Sequence, residues 1–318
     1  MRIVTLALAL IMLTPIQASA MSPKDVYKKS SPAVVLILGS DGGAKGSGGT
    51  GSIIHSDGYV VTNAHVVIGA EGKPLKRLYV YLKPPKLTGD NQKDLVNRYK
   101  ATVVGFSPAA ELDLALLKIE GAPKDLPTIV FADPKLVDIG DYVIAIGHPE
   151  QAGLWTLTTG TVSTLIANFT GVKGKHVFQT EASINRGNSG GPLLNENGAM
   201  IGINTSISRQ AADGVAITDV NFALKASVAV DWLNAMGHSV SFGNAKLAAL
   251  PTSPTKPKKL VVLKKEPAKE QVVGKRLDVK KAKTRQKVLT PKRPYSLKEL
   301  RRKQIRELEN MMDEMRLR

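Results

Sequence analysis

Along the first 245 residues the apolar positions come in short runs. Runs rich in Val, Ile, Leu and Tyr occupy 33–38, 52–54, 59–62, 78–82, 101–106, 114–119, 142–146, 157–163, 177–180 and 200–205, with turn-forming residues between them. Many short strands punctuated this way predict an all-β sandwich or barrel. Asp57-Gly58, between Ile53-Ile54 and Val60-Val61, predicts a tight hairpin whose two central residues both take positive φ. Helical spacing is scarce until residue 223. Over 224–236 the apolar positions then fall at helical intervals, Val228 and Trp232 share a face, and Gly237 supplies a stop.

The pattern changes near residue 245. Residues 246–295 are rich in Lys and Pro, with 260–263 as the one apolar cluster, too little to fold on and therefore a disordered linker. Residues 296–318 read as a short basic amphipathic helix. It opens on the capping-box pattern Ser296-Leu297-Lys298-Glu299, and Ile305, Leu308, Met312 and Met315 follow at helical spacing.

Charge sharpens this boundary. The chain carries 44 basic and 27 acidic residues, and 23 of the basic but only 8 of the acidic ones lie past residue 245. The body is close to neutral and the tail is a polycation. A solvated tail, attraction to anionic envelope components or lipid headgroups, and a coiled coil with a partner helix all fit that charge. Nucleic-acid binding fits the charge but offers only Tyr295 for stacking. It also conflicts with export. Arg2, the apolar run 3–13 and Ala18-Ser19-Ala20 read as a secretory leader over 1–20. The run falls short of the roughly 20 residues a spanning helix needs, so cleavage after Ala20 is expected over anchoring. With 318 residues and no cysteine, the chain has room for one large or two modest domains and excludes disulfides and thiolate metal sites. The expected parts are a leader 1–20, a folded body 21–245, a linker 246–295 and the helix 296–318.

Three polar residues within the body carry candidate chemistry. Ser189 sits among glycines in Arg186-Gly187-Asn188-Ser189-Gly190-Gly191. Glycines permit a tight turn whose amide N–H groups converge on an oxyanion, beside a nucleophilic hydroxyl. His65 follows the predicted strand 59–62, and Asp113 lies in an otherwise apolar run. A buried aspartate is costly unless it is paired, and an imidazole N–H satisfies it while presenting the other ring nitrogen as a base. Taken singly, His65 also reads as a satisfied core histidine and Asp113 as a turn cap. The order His, Asp, Ser is that of the chymotrypsin-type arrangement.

Six segments together resemble the HtrA/Deg branch of trypsin-like serine proteases. They are GTGSII (49–54), YVVTNAHVV (59–67), DLALLKI (113–119), GDYVIAIGHP (140–149), TGTVS (159–163) and QTEASINRGNSGGPL (179–193). The resemblance runs from about residue 31 to 236. It implies two packed six-stranded antiparallel β-barrels with a C-terminal helix and a site in the cleft between the barrels. It also implies Ser189 as nucleophile, His65 as base and Asp113 as the orienting carboxylate. Gly187, Asn188 and Ser189 form the oxyanion turn, with the amides of Gly187 and Ser189 as donors. Ser183 occupies the floor of the pocket for the residue before the scissile bond, where an uncharged side chain suits small or aliphatic residues. Ile203, Asn204 and Thr205 form the strand that pairs with the substrate backbone.

Several positions depart from relatives. Asn188 stands where digestive relatives carry aspartate, so no ion pair with a new N-terminus is expected. Ordering of loops 163–174 and 205–219 is the expected control. Asn221 replaces a glycine and Lys225 a proline in the family's Gly-Phe-Ala-Ile-Pro segment, and Asn221 is expected to keep a positive-φ bend. Family members usually continue into a PDZ domain, which the tail does not resemble. A homo-oligomer is expected, with the family's trimer not fixed by these residues. The implied function is cleavage of unfolded or damaged exported polypeptides by a periplasmic or secreted endopeptidase. The alternative is a non-cleaving chaperone or peptide-binding module on the same scaffold. No metal or cofactor is expected, and His55, His148, His176 and His238 are read as residues of turn-like or polar settings.

Overall fold

The computed structural model describes residues 20–42, 46–150, 152–207 and 220–243. The leader before Ala20, most of the expected control loop after Ile207, the linker and the terminal helix lie outside the described residues.

Twelve strands are formed among the described residues. The first six are β1 (Val34–Ser40), β2 (Gly46–His55), β3 (Tyr59–Thr62), β4 (Arg77–Tyr81), β5 (Arg98–Ser107) and β6 (Leu114–Ile119). They close into a barrel in the order β1-β2-β3-β6-β5-β4. The second six are β7 (Tyr142–Gly147), β8 (Thr156–Ile166), β9 (Val177–Thr180), β10 (Pro192–Leu194), β11 (Met200–Ile207) and β12 (Asn221–Lys225). These close in the order β10-β11-β12-β9-β8-β7. Every strand pair is antiparallel, and closure leaves neither sheet an open edge. Helices α1 (Pro23–Ser30), α2 (Ala64–Val67), α3 (Asn91–Asp94) and α4 (Ala226–Ala235) are peripheral.

Burial explains why many runs lack polar alternation. Along β7, Val143 and Ala145 point into the second barrel, and Ile144 and Ile146 point into the larger core shared with the first. Leu193 and Leu194 on β10 divide the same way, as do Ala223 and its neighbours Phe222 and Leu224 on β12. A strand covered on both faces reads as continuously apolar.

The structure corrects several local expectations. The hairpin between β2 and β3 forms, but only Gly58 takes positive φ, at 89°. Gly58 N–H donates to the His55 carbonyl at 2.9 Å, and a bulge sits at the end of β2, so Asp57 keeps an ordinary backbone. Strands β10 and β12 escape the run-based reading, the first because it has three residues and begins with proline, the second because Asn221 at its start reads as a bend. Asn221 has no positive φ; it lies extended at the start of β12 and its Nδ2 donates to the Thr180 carbonyl at 3.4 Å. Lys225 precedes α4 with φ −60°, which proline also adopts, but its N–H donates to the His176 carbonyl at 2.9 Å. Helix α1 is a further addition. It is eight residues long, starts on a Ser22 cap and buries only Val26 and Ser30, too few positions to show a period. Its Tyr27 hydroxyl donates to the Trp155 carbonyl at 2.9 Å and Ser30 Oγ to the Gly198 carbonyl at 3.2 Å, so it straps the first barrel to the second.

Candidate active site

The chain turns at Asn63 from β3 into α2, whose second residue is His65. Asn63 Nδ2 does not cap that helix; it donates to the Asp113 carbonyl at 2.8 Å. Asp113 ends the β5–β6 connection with φ 60°, and its N–H donates to the Pro108 carbonyl at 3.0 Å. Aspartate is among the few side chains that tolerate this left-handed backbone. The bend places its carboxylate, 5% exposed, beneath α2.

Three donors meet that carboxylate. His65 N–H reaches Oδ1 at 3.0 Å, His65 Nδ1 reaches Oδ2 at 2.8 Å, and Thr205 Oγ1 of the second barrel reaches Oδ2 at 3.1 Å. A carboxylate only accepts, so Nδ1 is the donor of this bond and Nε2 is the ring nitrogen left for other partners. The His65 side chain is 41% exposed, so this nitrogen belongs to an open ring. On the flank, burial pushes the Lys175 ammonium below its ordinary range, and the Asp113 carboxylate opposes that shift.

Ser189 is supplied by the β9–β10 connection. Its Oγ donates to the Thr205 carbonyl at 3.5 Å, a weak contact, so Thr205 touches both Ser189 and Asp113. Three consecutive peptide units before it are pinned by their oxygens. The Arg186 carbonyl accepts from Glu150 N–H at 2.9 Å, the Gly187 carbonyl from Thr50 Oγ1 at 2.6 Å, and the Asn188 carbonyl from Gly191 N–H at 3.0 Å. Trans peptides point N–H opposite to C=O. Pinning the first and third oxygens therefore turns the N–H groups of Gly187 and Ser189 to the other side, and among the described residues neither has an acceptor. The Asn188 amide behaves differently, because it donates to the Asn185 carbonyl at 2.9 Å. Asn188 is thus a spacer in the turn and not a donor to the site. Glycine is required at two of these positions. Gly187 has φ 92°, and a side chain there would strike the His148 carbonyl oxygen; Gly190 has φ 84°, and one there would strike Thr62 Oγ1 and the Thr50 carbonyl.

Of the other expected site residues, Ser183 is exposed, and its carbonyl accepts from Thr158 Oγ1 at 2.9 Å. Ile203 and Asn204 are fully buried; both pair with β12, and Ile203 pairs with β10 on the other side. Asn204 N–H donates to the Gly191 carbonyl and its own carbonyl accepts from Gly190 N–H. Their backbone groups are consumed within the barrel, which removes both from a substrate-pairing edge and leaves Thr205 at the site.

His148 overturns its expected polar setting. It is 4% exposed and packs edge-on against Trp155 at 4.7 Å between ring centroids. Burial pushes its imidazole down to about 3. Its Nδ1 lies 3.0 Å from Thr50 Oγ1, the same hydroxyl that holds the Gly187 carbonyl. Thr50 and His148 stand in the segments 49–54 and 140–149, but nothing in either segment marks them as neighbours of the Ser189 turn. Only folding brings the three together.

Comparisons with known proteins bear on the fold that holds this geometry. Residues 49–203 match the model of the trypsin-like peptidase domain. The chain is 44% identical over 160 residues to a protein of Chlamydia trachomatis named "Probable periplasmic serine endoprotease DegP-like", covering 50% of this chain and 28% of that one. It is 38% identical over 204 residues to the "Periplasmic serine endoprotease DegP" of Escherichia coli, covering 64% of this chain and 38% of that one. The chain therefore spans well under half the length of these curated relatives. A solved structure titled "HtrA-type protease AlgW with tripeptide" superposes with a TM-score of 0.55 at 29% identity, over 68% of this chain and 63% of that one. Two closed barrels, the ordered segments around His65, Asp113 and Ser189, and these likenesses support the reading of the chain as an HtrA-type trypsin-like serine protease.

Proposed function

We propose that the protein is an exported serine endopeptidase acting on unfolded polypeptides. One observation carries the reading: Thr205 bonds both to Asp113, the partner of His65, and to Ser189, whose turn leaves two amides without an acceptor among the described residues. In the proposed reaction, rotation of the Ser189 side chain brings its hydroxyl from the Thr205 carbonyl to His65 Nε2. Oγ attacks the scissile carbonyl as Nε2 takes its proton. The N–H groups of Gly187 and Ser189 bind the resulting oxyanion, the term that usually dominates acyl transfer. His65 then protonates the leaving amine, and water releases the acyl group by the reverse sequence. Asp113 holds the imidazole tautomer and stabilises its transient charge. The relatives' names support a periplasmic location. The uncharged Ser183 supports cleavage after small or aliphatic residues.

Unfolded casein is incubated with the purified protein and with its Ser189→Ala variant, and the fragment ends are read by mass spectrometry. Cleavage after Val, Ala or similar residues by the parent alone is the expected result. If neither protein cleaves and the parent takes no fluorophosphonate label on Ser189, the chain is a peptide-binding module on this scaffold.

A further inference from the structure

Thr50 stands apart from the proposed catalytic groups, yet it makes three hydrogen bonds at the heart of the turn. Its N–H donates to the Ser189 carbonyl at 2.9 Å, its carbonyl accepts from Thr62 Oγ1 at 2.7 Å, and its hydroxyl donates to the Gly187 carbonyl at 2.6 Å. The third bond holds the oxygen of the middle peptide of the oxyanion turn, whose N–H donates to the Asn185 carbonyl at 2.9 Å. That peptide shares a backbone carbon with each of its neighbours. Its orientation is set by ψ of Gly187 and φ of Asn188, the torsions that join it to the two flanking peptides, whose N–H groups are the two unengaged donors. Gly187 carries no Cβ, so rotation about its ψ meets little intrinsic resistance. The neighbouring oxygens are held by amides that any residue supplies. The middle one depends on a side chain.

His148 determines which way that side chain donates. A carbonyl cannot donate, so the single hydroxyl proton of Thr50 lies toward Gly187 O. His148 Nδ1, at 3.0 Å, is then the donor to Oγ1, and His148 N–H donates to the same oxygen at 3.2 Å. One proton given and two accepted saturate the hydroxyl. The ring is left as the Nδ1–H tautomer, with a bare Nε2 that is buried and has no partner among the described residues. Inverting the tautomer would aim an N–H into that partnerless position and turn the Thr50 proton away from Gly187. Burial also keeps the ring neutral, so this arrangement holds across ordinary pH. The Trp155 ring closes the wall, and its Nε1 is tied to the Val34 carbonyl at 2.7 Å.

We infer that Thr50, oriented by the Nδ1–H tautomer of His148, is a positioning residue that holds the oxyanion hole open. The inference rests on the proposed peptidase reading and adds a requirement to it. Substrate binding does not need the pin, because ground-state contacts do not engage the oxyanion; transition-state stabilisation does.

The test uses the full chain and a chromogenic aliphatic peptide, with the Ser189→Ala variant as the blank. Thr50→Val removes the hydroxyl at nearly constant volume. The expected result is a loss in kcat of about 10²-fold, the scale of one missing oxyanion donor, with KM little changed. A peptide aldehyde, which forms a tetrahedral adduct, should lose affinity in the same proportion, and the matching peptide alcohol, which cannot, should keep its own. Thr50→Ser should restore kcat to within about threefold. Thr50→Ala and Thr50→Ser differ by one oxygen and carry the comparison if the valine variant does not fold. His148→Phe, which keeps the ring but not the donor, should show the same signature in smaller measure. Parent-like kcat in Thr50→Val or Thr50→Ala, or an equal loss of aldehyde and alcohol binding, overturns the inference while leaving the peptidase reading intact. A parent that neither cleaves nor labels at Ser189 overturns both.

Discussion

The burial of His148 has a consequence for stability that is independent of catalysis. In the unfolded chain an imidazole titrates near 6.5, whereas here burial lowers it to about 3. Between those values the unfolded state binds a proton that the native state refuses. The native state is therefore favoured in full above pH 6.5, and this stability is lost as pH falls toward 3. At pH 5 the loss is about 2 kcal/mol, from roughly 1.5 pH units at about 1.4 kcal/mol each. The perturbation is His148→Gln, which removes the titration and keeps a donor amide. Urea unfolding of parent and variant is measured at pH 7.5 and pH 5.0. Carboxylates and the half-buried His238, itself lowered by burial, titrate alike in both proteins and cancel in the double difference. The parent should lose about 2 kcal/mol more than the variant on acidification, which is a midpoint shift of about 1 M at an m-value near 2 kcal/mol/M. Equal losses would mean that the buried ring takes up a proton with little cost. The neutrality of His148 across ordinary pH would then be wrong.

Two further substitutions test specific geometry. Asp113→Asn tolerates the left-handed backbone and should fold, but its amide can donate to His65 Nδ1 and favours the opposite tautomer; kcat on the aliphatic peptide should fall by about 10⁴, and a loss under tenfold would remove Asp113 from its proposed role. Asn221→Gly restores the residue usual in relatives, yet Asn221 is extended and bonded to the Thr180 carbonyl, so the melting temperature should fall by the equivalent of about 1–2 kcal/mol, and a rise would contradict the assigned backbone.

What was legible in the sequence depended on how local its cause was. Most strands were legible because their apolar runs are local, and runs such as 142–146 stay apolar when both faces are covered; their closure into two barrels was legible only through the resemblance. Strands β10 and β12 were not, because three residues beginning with proline, and a segment opening on asparagine, take their extended form from partners across the sheet. The positions of His65, Asp113 and Ser189 were legible from residue type and order. The carboxylate's bend at φ 60° was not, since it follows from the Pro108 carbonyl and the Asn63 amide that hold it.

The same distinction accounts for the errors at the site. Ile203 and Asn204 lie two residues and one residue before Thr205, on the strand that the resemblance implies for pairing with substrate. In the fold Ile203 pairs with β10 and β12 and the Asn204 N–H and C=O are spent on Gly191 and Gly190, whereas Thr205 bonds to both Ser189 and Asp113. His148 was given a polar setting because glycine and proline flank it, and those neighbours do describe its backbone. Its side chain answers to Trp155 and Thr50, which are 7 and 98 residues away. The oxyanion turn shows the limit most clearly. Its glycines announce that a tight turn can form, but which way each peptide faces is decided by Glu150, Thr50 and Gly191, two of them far off in sequence. A glycine-rich motif thus specifies a set of permitted conformations, and the groups that choose among them must be sought on the elements that fold against it.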